Sequence, residues 1–194
     1  MVQEFSVEHL HKSGAVFDLD KLDWFNSVYI RKLKPEALFA LILPYLVQAG
    51  IDAAKYPKEF IEEILRLEQE RLKKLSEIGE RVRYFFEEPK YDSNLLIWKK
   101  SDKQVILKNL ESLGQFLQTL PLGQFKKETL EVEVKKFMET NGLKTGEVLW
   151  PLRVALTGLD ASPGPYEIME VFASLKNGKE LILKRINRAT ELLF

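Results

Sequence analysis

Hydrophobic residues recur at intervals of three and four along almost the whole chain, a spacing typical of amphipathic helices. Leu22, Phe25 and Tyr29 form one such stripe, and Asp18 or Asp20 is placed to begin its helix. No run alternates with period two for long enough to predict a strand, and no hairpin signal separates two strand-like runs. The pattern predicts an all-α fold without an internal repeat of fixed period.

Glycine, proline and charged residues separate the predicted helices. Gly50, Gly142 and Gly158 each follow a periodic apolar segment and are expected to end it in the left-handed conformation. Pro35 is expected in the first turn of a helix. The predicted helices cover residues 5–12, a segment from 18–20 to about 30, 37–47, 57–88, 94–119, 126–140, 145–157, 163–174 and 179–193.

The segment 87–92, Glu-Glu-Pro-Lys-Tyr-Asp, is the clearest break and predicts two parts, residues 1–88 and 89–194. In the first part, Leu22 and Phe25 are expected to be buried, and the almost wholly apolar run 37–47 to be buried on more than one side. Oppositely charged residues recur four apart along 57–88, so most of these charges are expected on a solvated helix face.

Composition narrows the possible functions. The 194 residues carry 29 Lys and Arg against 29 Asp and Glu, and this zero net charge excludes the global positive field of a small free-standing nucleic-acid binder. With no Cys, and with His9 and His11 facing different directions on a helix, no metal site is predicted. No apolar run is long enough to span a membrane, and the N-terminus lacks a secretory pattern, so a cytoplasmic location is expected.

The motifs of common catalytic sites are absent, since the chain has no glycine-rich phosphate loop, HExxH or G-x-S-x-G, and we predict no catalytic residue. Two features near the C-terminus need explanation. Pro151 lies inside a helical pattern and should bend it, and Arg153 is the only charge between Glu147 and Asp160. The guanidinium must reach water, a carboxylate of the fold or a ligand.

A stiff loop, Ser162-Pro163-Gly164-Pro165, follows this helix, with Ser162 placed as an N-cap. The prolines remove backbone N–H donors, which argues against an anion-binding nest. A rigid apolar edge beside an arginine suits flat, unstacked bases of the kind that single-stranded RNA loops present.

Four segments together resemble a known family: Gly14–Asn26 with its K-L-x-W-x-N core, the helix ending Arg81-Val-Arg-Tyr-Phe-Phe86, the P-L-R-x-A-L-T-G run and the S-P-G-P-Y-E run. In this order, over nearly the whole chain, they are similar to the C-terminal anticodon-binding region of bacterial-type glutamyl-tRNA synthetases. The resemblance implies a stem-contact helical bundle at 1–88 and an anticodon-binding helical cage at 89–194. The family's catalytic half carries HIGH-like and KMSKS-like motifs, and this sequence contains neither.

The resemblance also implies the residues that contact the anticodon. Arg71 aligns with an arginine late in the long helix that reads an anticodon base, and Arg153 with a second base-contacting arginine. Ser162, Pro163 and Pro165 fall on the loop that touches the anticodon bases, although Pro165 departs from the other apolar residues that many relatives carry there. The two guanidinium groups and the proline loop are expected to converge on a concave surface, and an internal acidic partner for either arginine would count against this role.

The implied partner is tRNA(Glu), with tRNA(Gln) as a second candidate, and the implied state is a monomer. As part of a glutamate–tRNA ligase, the chain is expected to be inactive alone and to hold no cofactor, because ATP and Mg²⁺ would act in the missing catalytic domain. The alternative is a helical protein-interaction scaffold without RNA binding, with an apolar pocket near residues 150–166.

Overall fold

In a computed structural model, which describes residues 18–194, the chain is all helical. This confirms the predicted fold class, and the described residues contain no strand. The predicted helix 5–12, with His9 and His11, lies outside the described residues. The α-helices of the described part are α1 (Leu19–Arg31), α2 (Pro35–Gln48), α3 (Lys58–Gln69), α4 (Ile78–Phe86), α5 (Lys103–Thr119), α6 (Lys127–Thr140), α7 (Thr145–Thr157), α8 (Pro165–Ala173) and α9 (Gly178–Leu192).

Several helix ends lie where the sequence predicts them. The Asp18 carboxylate accepts a hydrogen bond from the backbone N–H of Lys21 at 3.1 Å and caps α1. Pro35 is the first residue of α2. Gly50, Gly142 and Gly158 have φ angles of +78°, +62° and +71°, the left-handed conformation that glycine adopts without steric cost.

The prediction of one helix over 57–88 is wrong. The helix ends at Gln69, and a turn and the short 3-10 helix Leu75–Glu77 precede α4. The Gln69 side-chain amide donates to the carbonyls of Ile30 and Leu33, each at 2.9 Å, and so joins this end of α3 to the end of α1. Leu72, in this turn, is fully buried. The turn is therefore held by packing in the core and not by residues that end a helix locally.

The predicted helix 94–119 is also two elements, the 3-10 helix Ser93–Leu96 and α5. Two aspartates account for the break. Asp92 accepts from the backbone N–H of Asn94 at 2.8 Å, and Asp102 accepts from that of Gln104 at 2.6 Å and caps α5. Each cap satisfies a backbone donor that has no partner within its own helix.

The expected burial near the N-terminal end of the described part is also wrong. Leu22 and Phe25 remain 50% and 45% exposed, and α1 instead buries Ser27 and Ile30. Helix α2 buries one stripe only, Leu38, Ile42 and Leu46, while Leu41, Leu43 and Val47 face outward. Periodicity identified the helices but not which apolar face has a neighbour.

The break at 87–92 is a loop, and packed contacts cross it. The rings of Phe85 and Phe172 lie 5.2 Å apart. The buried guanidinium of Arg185 donates to the carbonyls of Tyr84, Glu87 and Leu156, and it stacks over Phe172 at 4.5 Å. Burial lowers the pKa of Arg185 to about 10. The division at residue 88 stays a prediction, since the two parts share one hydrophobic core.

Helix α7 remains a single helix through Pro151. A proline at this position removes the N–H that would bond the Glu147 carbonyl one turn earlier. The Asn109 side chain of α5 replaces it, donating through Nδ2 to the Glu147 oxygen at 3.2 Å. Asn109 is itself 6% exposed, so this bond joins α5 to α7 inside the protein.

Candidate nucleic-acid interface

Arg71 lies in the turn that follows α3, not late in a long helix as predicted. Its backbone N–H donates to the Glu68 carbonyl at 2.8 Å, and its side chain is exposed. The turn is also held from α1, because Asn26 Nδ2 donates to the Lys73 carbonyl at 2.6 Å and Lys74 pairs with Asp23 at 3.1 Å. Arg71 therefore projects from a braced loop.

Glu68 is the acidic neighbour of Arg71. Its carboxylate is 1% exposed and lies 3.8 Å from Arg71 Nε and 3.5 Å from Arg81 Nη1. Burial raises the pKa of Glu68, and the charges of Arg81 and Arg71 oppose that rise. Glu68 is thus an internal acidic partner of Arg71, the kind of contact that counts against its predicted role. The contact is longer than a hydrogen bond, however, and 39% of the Arg71 side chain stays exposed, so the pair orients the guanidinium without enclosing it.

Arg153 is held mainly by a carbonyl and an aromatic ring. Its Nη2 donates to the Asp160 backbone carbonyl at 2.7 Å, and its guanidinium carbon lies 4.6 Å from the Trp150 ring centroid. Burial lowers the pKa of Arg153, Asp160 raises it, and the positive charge of Arg71 lowers it further.

The bond from Arg153 to Asp160 also ties α7 to the proline loop. Ser162 Oγ donates to the Pro163 carbonyl at 3.1 Å, so Ser162 is not the predicted N-cap; Gly164 takes that position. Pro163 is buried, whereas Ser162 and Pro165 keep part of their surface accessible. Pro165 is the first residue of α8, where its missing N–H costs no helical bond.

Three residues that support this surface were not predicted. Glu68 was included among the solvated charges, although a glutamate three residues before Arg71 lies on the same side of a helix. Trp150 stands three residues before Arg153, and the same spacing rule would have placed the two side chains together. The role of Asn109 has no local signal, because its partner lies 38 residues further along the chain.

Residues 18–194 contain neither a cluster of metal-ligating side chains nor a membrane-spanning helix. No group of three His, Cys, Asp or Glu side chains is arranged there to hold a metal ion. In the same range, every helix is too short or too polar to cross a bilayer.

The chain is similar to long ligases over its whole length. It is 31% identical over 191 residues to a glutamate–tRNA ligase of Elusimicrobium minutum, covering 97% of this chain and 37% of that protein. It is 36% identical over 200 residues to a glutamate–tRNA ligase of Herpetosiphon aurantiacus, covering 100% of this chain and 38% of the relative. The chain thus spans less than two fifths of the length of these relatives.

Solved structures give the same result. A glutamate tRNA ligase from Elizabethkingia meningosepticum, crystallised in complex with its amino acid, superposes with a TM-score of 0.79 at 28% identity, over 100% of this chain and 36% of that one. Glutamate-tRNA synthetase from Elizabethkingia anophelis gives 0.74 at 27% identity, over 98% of this chain and 35% of that one. The anticodon binding domain family matches residues 37–190. The chain therefore belongs to the anticodon binding domain family, and its matched relatives are glutamate–tRNA ligases.

Proposed function

We propose that this chain recognises tRNA by its anticodon loop, as the C-terminal part of a glutamate–tRNA ligase. The observation that carries the proposal is the setting of Arg153, whose guanidinium lies 4.6 Å from the Trp150 ring centroid and donates to the Asp160 carbonyl at 2.7 Å, beside a stiff proline loop. The family match and the ligase relatives support it, and they do not favour a scaffold without RNA binding.

Arginine suits base recognition because its planar guanidinium can stack on a base and also donate two parallel hydrogen bonds to the base edge. In the proposed complex, Arg71 and Arg153 each contact an unstacked anticodon base. Ser162 and Pro165 contact the bases from the loop, while Pro163, which is buried, contributes by stiffening it. Residues 89–194 form the anticodon cage and residues 1–88 contact the stem.

The zero net charge fits a chain that contributes more to base specificity than to overall affinity for RNA. Phosphate contacts supply most of the affinity of a nucleic-acid complex, and base contacts supply the specificity. We therefore expect this chain alone to bind tRNA weakly, with a dissociation constant of roughly 10⁻⁴ to 10⁻⁶ M. The partner is tRNA(Glu), with tRNA(Gln) as a second candidate, and the protein is a monomer in the cytoplasm.

The ligation chemistry belongs to the part of such a ligase that this chain does not match. We propose that ATP and Mg²⁺ bind in that part, where glutamate is activated, and that this chain brings no catalytic residue to the reaction. The relatives are more than twice as long as the matched region, which leaves room for such a domain.

Binding to tRNA transcripts tests the proposal. Fluorescence anisotropy with labelled tRNA(Glu) is expected to give a smaller dissociation constant than the same tRNA with a substituted anticodon. Equal constants for the two transcripts would refute anticodon recognition, and the absence of any binding at 1 mM protein, an upper limit of roughly tenfold the weakest expected constant, would refute RNA binding.

Single substitutions test the two arginines. Arg71→Ala and Arg153→Ala are each expected to reduce the preference for the native anticodon by about 5- to 150-fold, the equivalent of about 1–3 kcal/mol for one base-edge contact. Arg188→Ala is the matched control, because it removes the same charge from α9, where Arg188 pairs with Glu88 at 2.9 Å. If all three variants behave alike, the effect is general electrostatics and the assignment is wrong.

A further inference from the structure

Two neighbouring tryptophan rings, with a cation at each end, form a row that runs from Lys99 to Arg153. The Lys99 ammonium lies 4.9 Å from the Trp98 ring centroid, the Trp98 and Trp150 rings are 5.2 Å apart, and the Arg153 guanidinium lies 4.6 Å from the Trp150 ring. Each contact is within the range of cation–π or aromatic stacking. Two indoles therefore stand behind one of the arginines proposed to read the anticodon.

Both indoles are fixed by the backbone around them. Trp150 Nε1 donates to the Leu95 carbonyl at 2.7 Å, which anchors the ring to the segment after the 87–92 loop. Trp98 lies directly against Gly146, where a Cβ atom would overlap the indole nitrogen. Glycine at 146 is what permits this approach. Turning the Trp150 ring would break its hydrogen bond to Leu95, and the Trp98 ring fills the space beside Gly146.

A guanidinium that lies on a fixed ring has lost much of its freedom before any ligand arrives. The Arg153 guanidinium lies over the Trp150 ring and donates from Nη2 to the Asp160 carbonyl, so the ring and the carbonyl together restrict its orientation. A planar group that is already oriented loses less conformational entropy when a base stacks on it. An arginine without such contacts would lose this conformational entropy each time that a base binds.

We propose that Trp150 is a positioning residue that holds the Arg153 guanidinium flat, so that the face turned away from the indole receives one unstacked base. This inference rests on the proposed function and adds to it a reason for the tryptophan before the P-L-R run. Trp98 supports Trp150 from behind, and Trp150 itself does not contact the RNA.

Two substitutions separate the ring from its hydrogen bond. Trp150→Phe keeps an aromatic face for Arg153 and loses only the donor to Leu95, whereas Trp150→Leu loses the aromatic face as well. We expect Trp150→Leu to reduce the preference of the 194-residue chain for native over anticodon-substituted tRNA(Glu) by about fivefold, from a cation–π contact of about 1 kcal/mol. Trp150→Phe should retain most of the preference. Circular dichroism melting shows whether each variant is folded.

A spectroscopic readout tests the stacking directly. In arginine-labelled protein, ring currents from Trp150 should displace the Arg153 side-chain NMR signals, and Trp150→Leu should return them towards the positions of exposed arginines such as Arg188. Addition of an anticodon stem-loop RNA should move the Arg153 signals again, whereas Arg188 should change little. This second step uses the unaltered protein, so Arg153 signals that do not move would overturn the inference even if Trp150→Leu does not fold.

The outcomes distinguish this inference from the function on which it rests. If the unaltered chain does not prefer the native anticodon, the proposed function fails whatever Trp150 does. If the unaltered chain does prefer it, and folded Trp150→Leu keeps the full preference, the positioning role is overturned and the function stands. Arg153 signals that the stem-loop leaves unmoved would overturn the positioning role and the base contact assigned to Arg153, whereas a preference for the native anticodon would still support anticodon recognition by the chain.

Discussion

Replacing Asn109 by alanine tests how α7 remains helical despite Pro151, close to the proposed interface. The Glu147 carbonyl has no helical donor because residue 151 is proline, and the Asn109 amide supplies the missing bond at 3.2 Å. Asn109 is 6% exposed, so water cannot readily take its place. Leaving such a carbonyl unsatisfied costs about 1–3 kcal/mol.

We therefore expect Asn109→Ala to lower the free energy of unfolding by about 2 kcal/mol. For a protein of this size the loss corresponds to a decrease in melting temperature of about 4–8 °C. Urea denaturation followed by circular dichroism measures the change. Thr119→Ala on the same helix is the control: its hydroxyl bonds the Phe116 carbonyl within one exposed turn, and its loss should cost below about 0.5 kcal/mol.

A double-mutant cycle tests whether the hydrogen bond from Asn109 to the Glu147 carbonyl is the cause of the loss of stability. Pro151→Ala restores a backbone N–H at residue 151, which can bond the Glu147 carbonyl within α7. In that background Asn109→Ala should cost about 1–2 kcal/mol less than in the native sequence, because the carbonyl no longer depends on the amide. Additive effects within about 0.5 kcal/mol would show that Asn109 stabilises the protein by packing alone, and would refute the argument.

Two further stability predictions follow from single residues. Gly178→Ala should lower the free energy of unfolding by about 1–3 kcal/mol in thermal melts, because a Cβ there would overlap the Phe172 carbonyl. Gly123→Ala is the control, since a Cβ at residue 123 meets open space and should change the stability little. Equal losses of stability in the two variants would contradict the overlap. Burial raises the pKa of Glu68, so the stability that its protonation contributes is fully present below pH 4.5 and lost as pH rises through the raised pKa. The unfolding free energy of the native protein relative to Glu68→Gln should therefore fall as pH rises from 4.5, and a difference independent of pH would contradict the cause.

The elements that could be predicted from sequence are those whose signals are local. The aspartate cap of α1, the first-turn proline of α2 and the three left-handed glycines each act on their own or adjacent turns, and each lies where expected. The breaks inside 57–88 and 94–119 were missed for different reasons. The first depends on Gln69, whose partners at Ile30 and Leu33 are 39 and 36 residues away. The second depends on two aspartate caps that the apolar pattern outweighed.

The proposed interface shows the same division. The proline loop and Arg153 are visible in sequence because an isolated charge and a stiff loop are unusual in an apolar stretch. Their supports are less visible. Trp150 and Glu68 are ordinary residues at helical spacing, and only the fold shows that one stacks on Arg153 and the other is buried beside Arg71.

The contacts of Arg71 and Arg153 explain how a protein of zero net charge can orient both guanidinium groups of the proposed interface. Like charges at short range raise each other's energy, and here the charge of Arg71 lowers the pKa of Arg153. The buried Glu68 carboxylate lies 3.8 Å from Arg71 Nε and offsets part of its charge, while the Trp150 ring and the Asp160 carbonyl hold Arg153. Because Arg71 stays exposed and Arg153 is only partly buried, these partners leave room for the proposed base contacts. Glu68, Trp150 and the Asp160 carbonyl therefore act mainly by orienting the two guanidinium groups and only secondarily by offsetting their charge. Oriented donors are what the discrimination of bases requires.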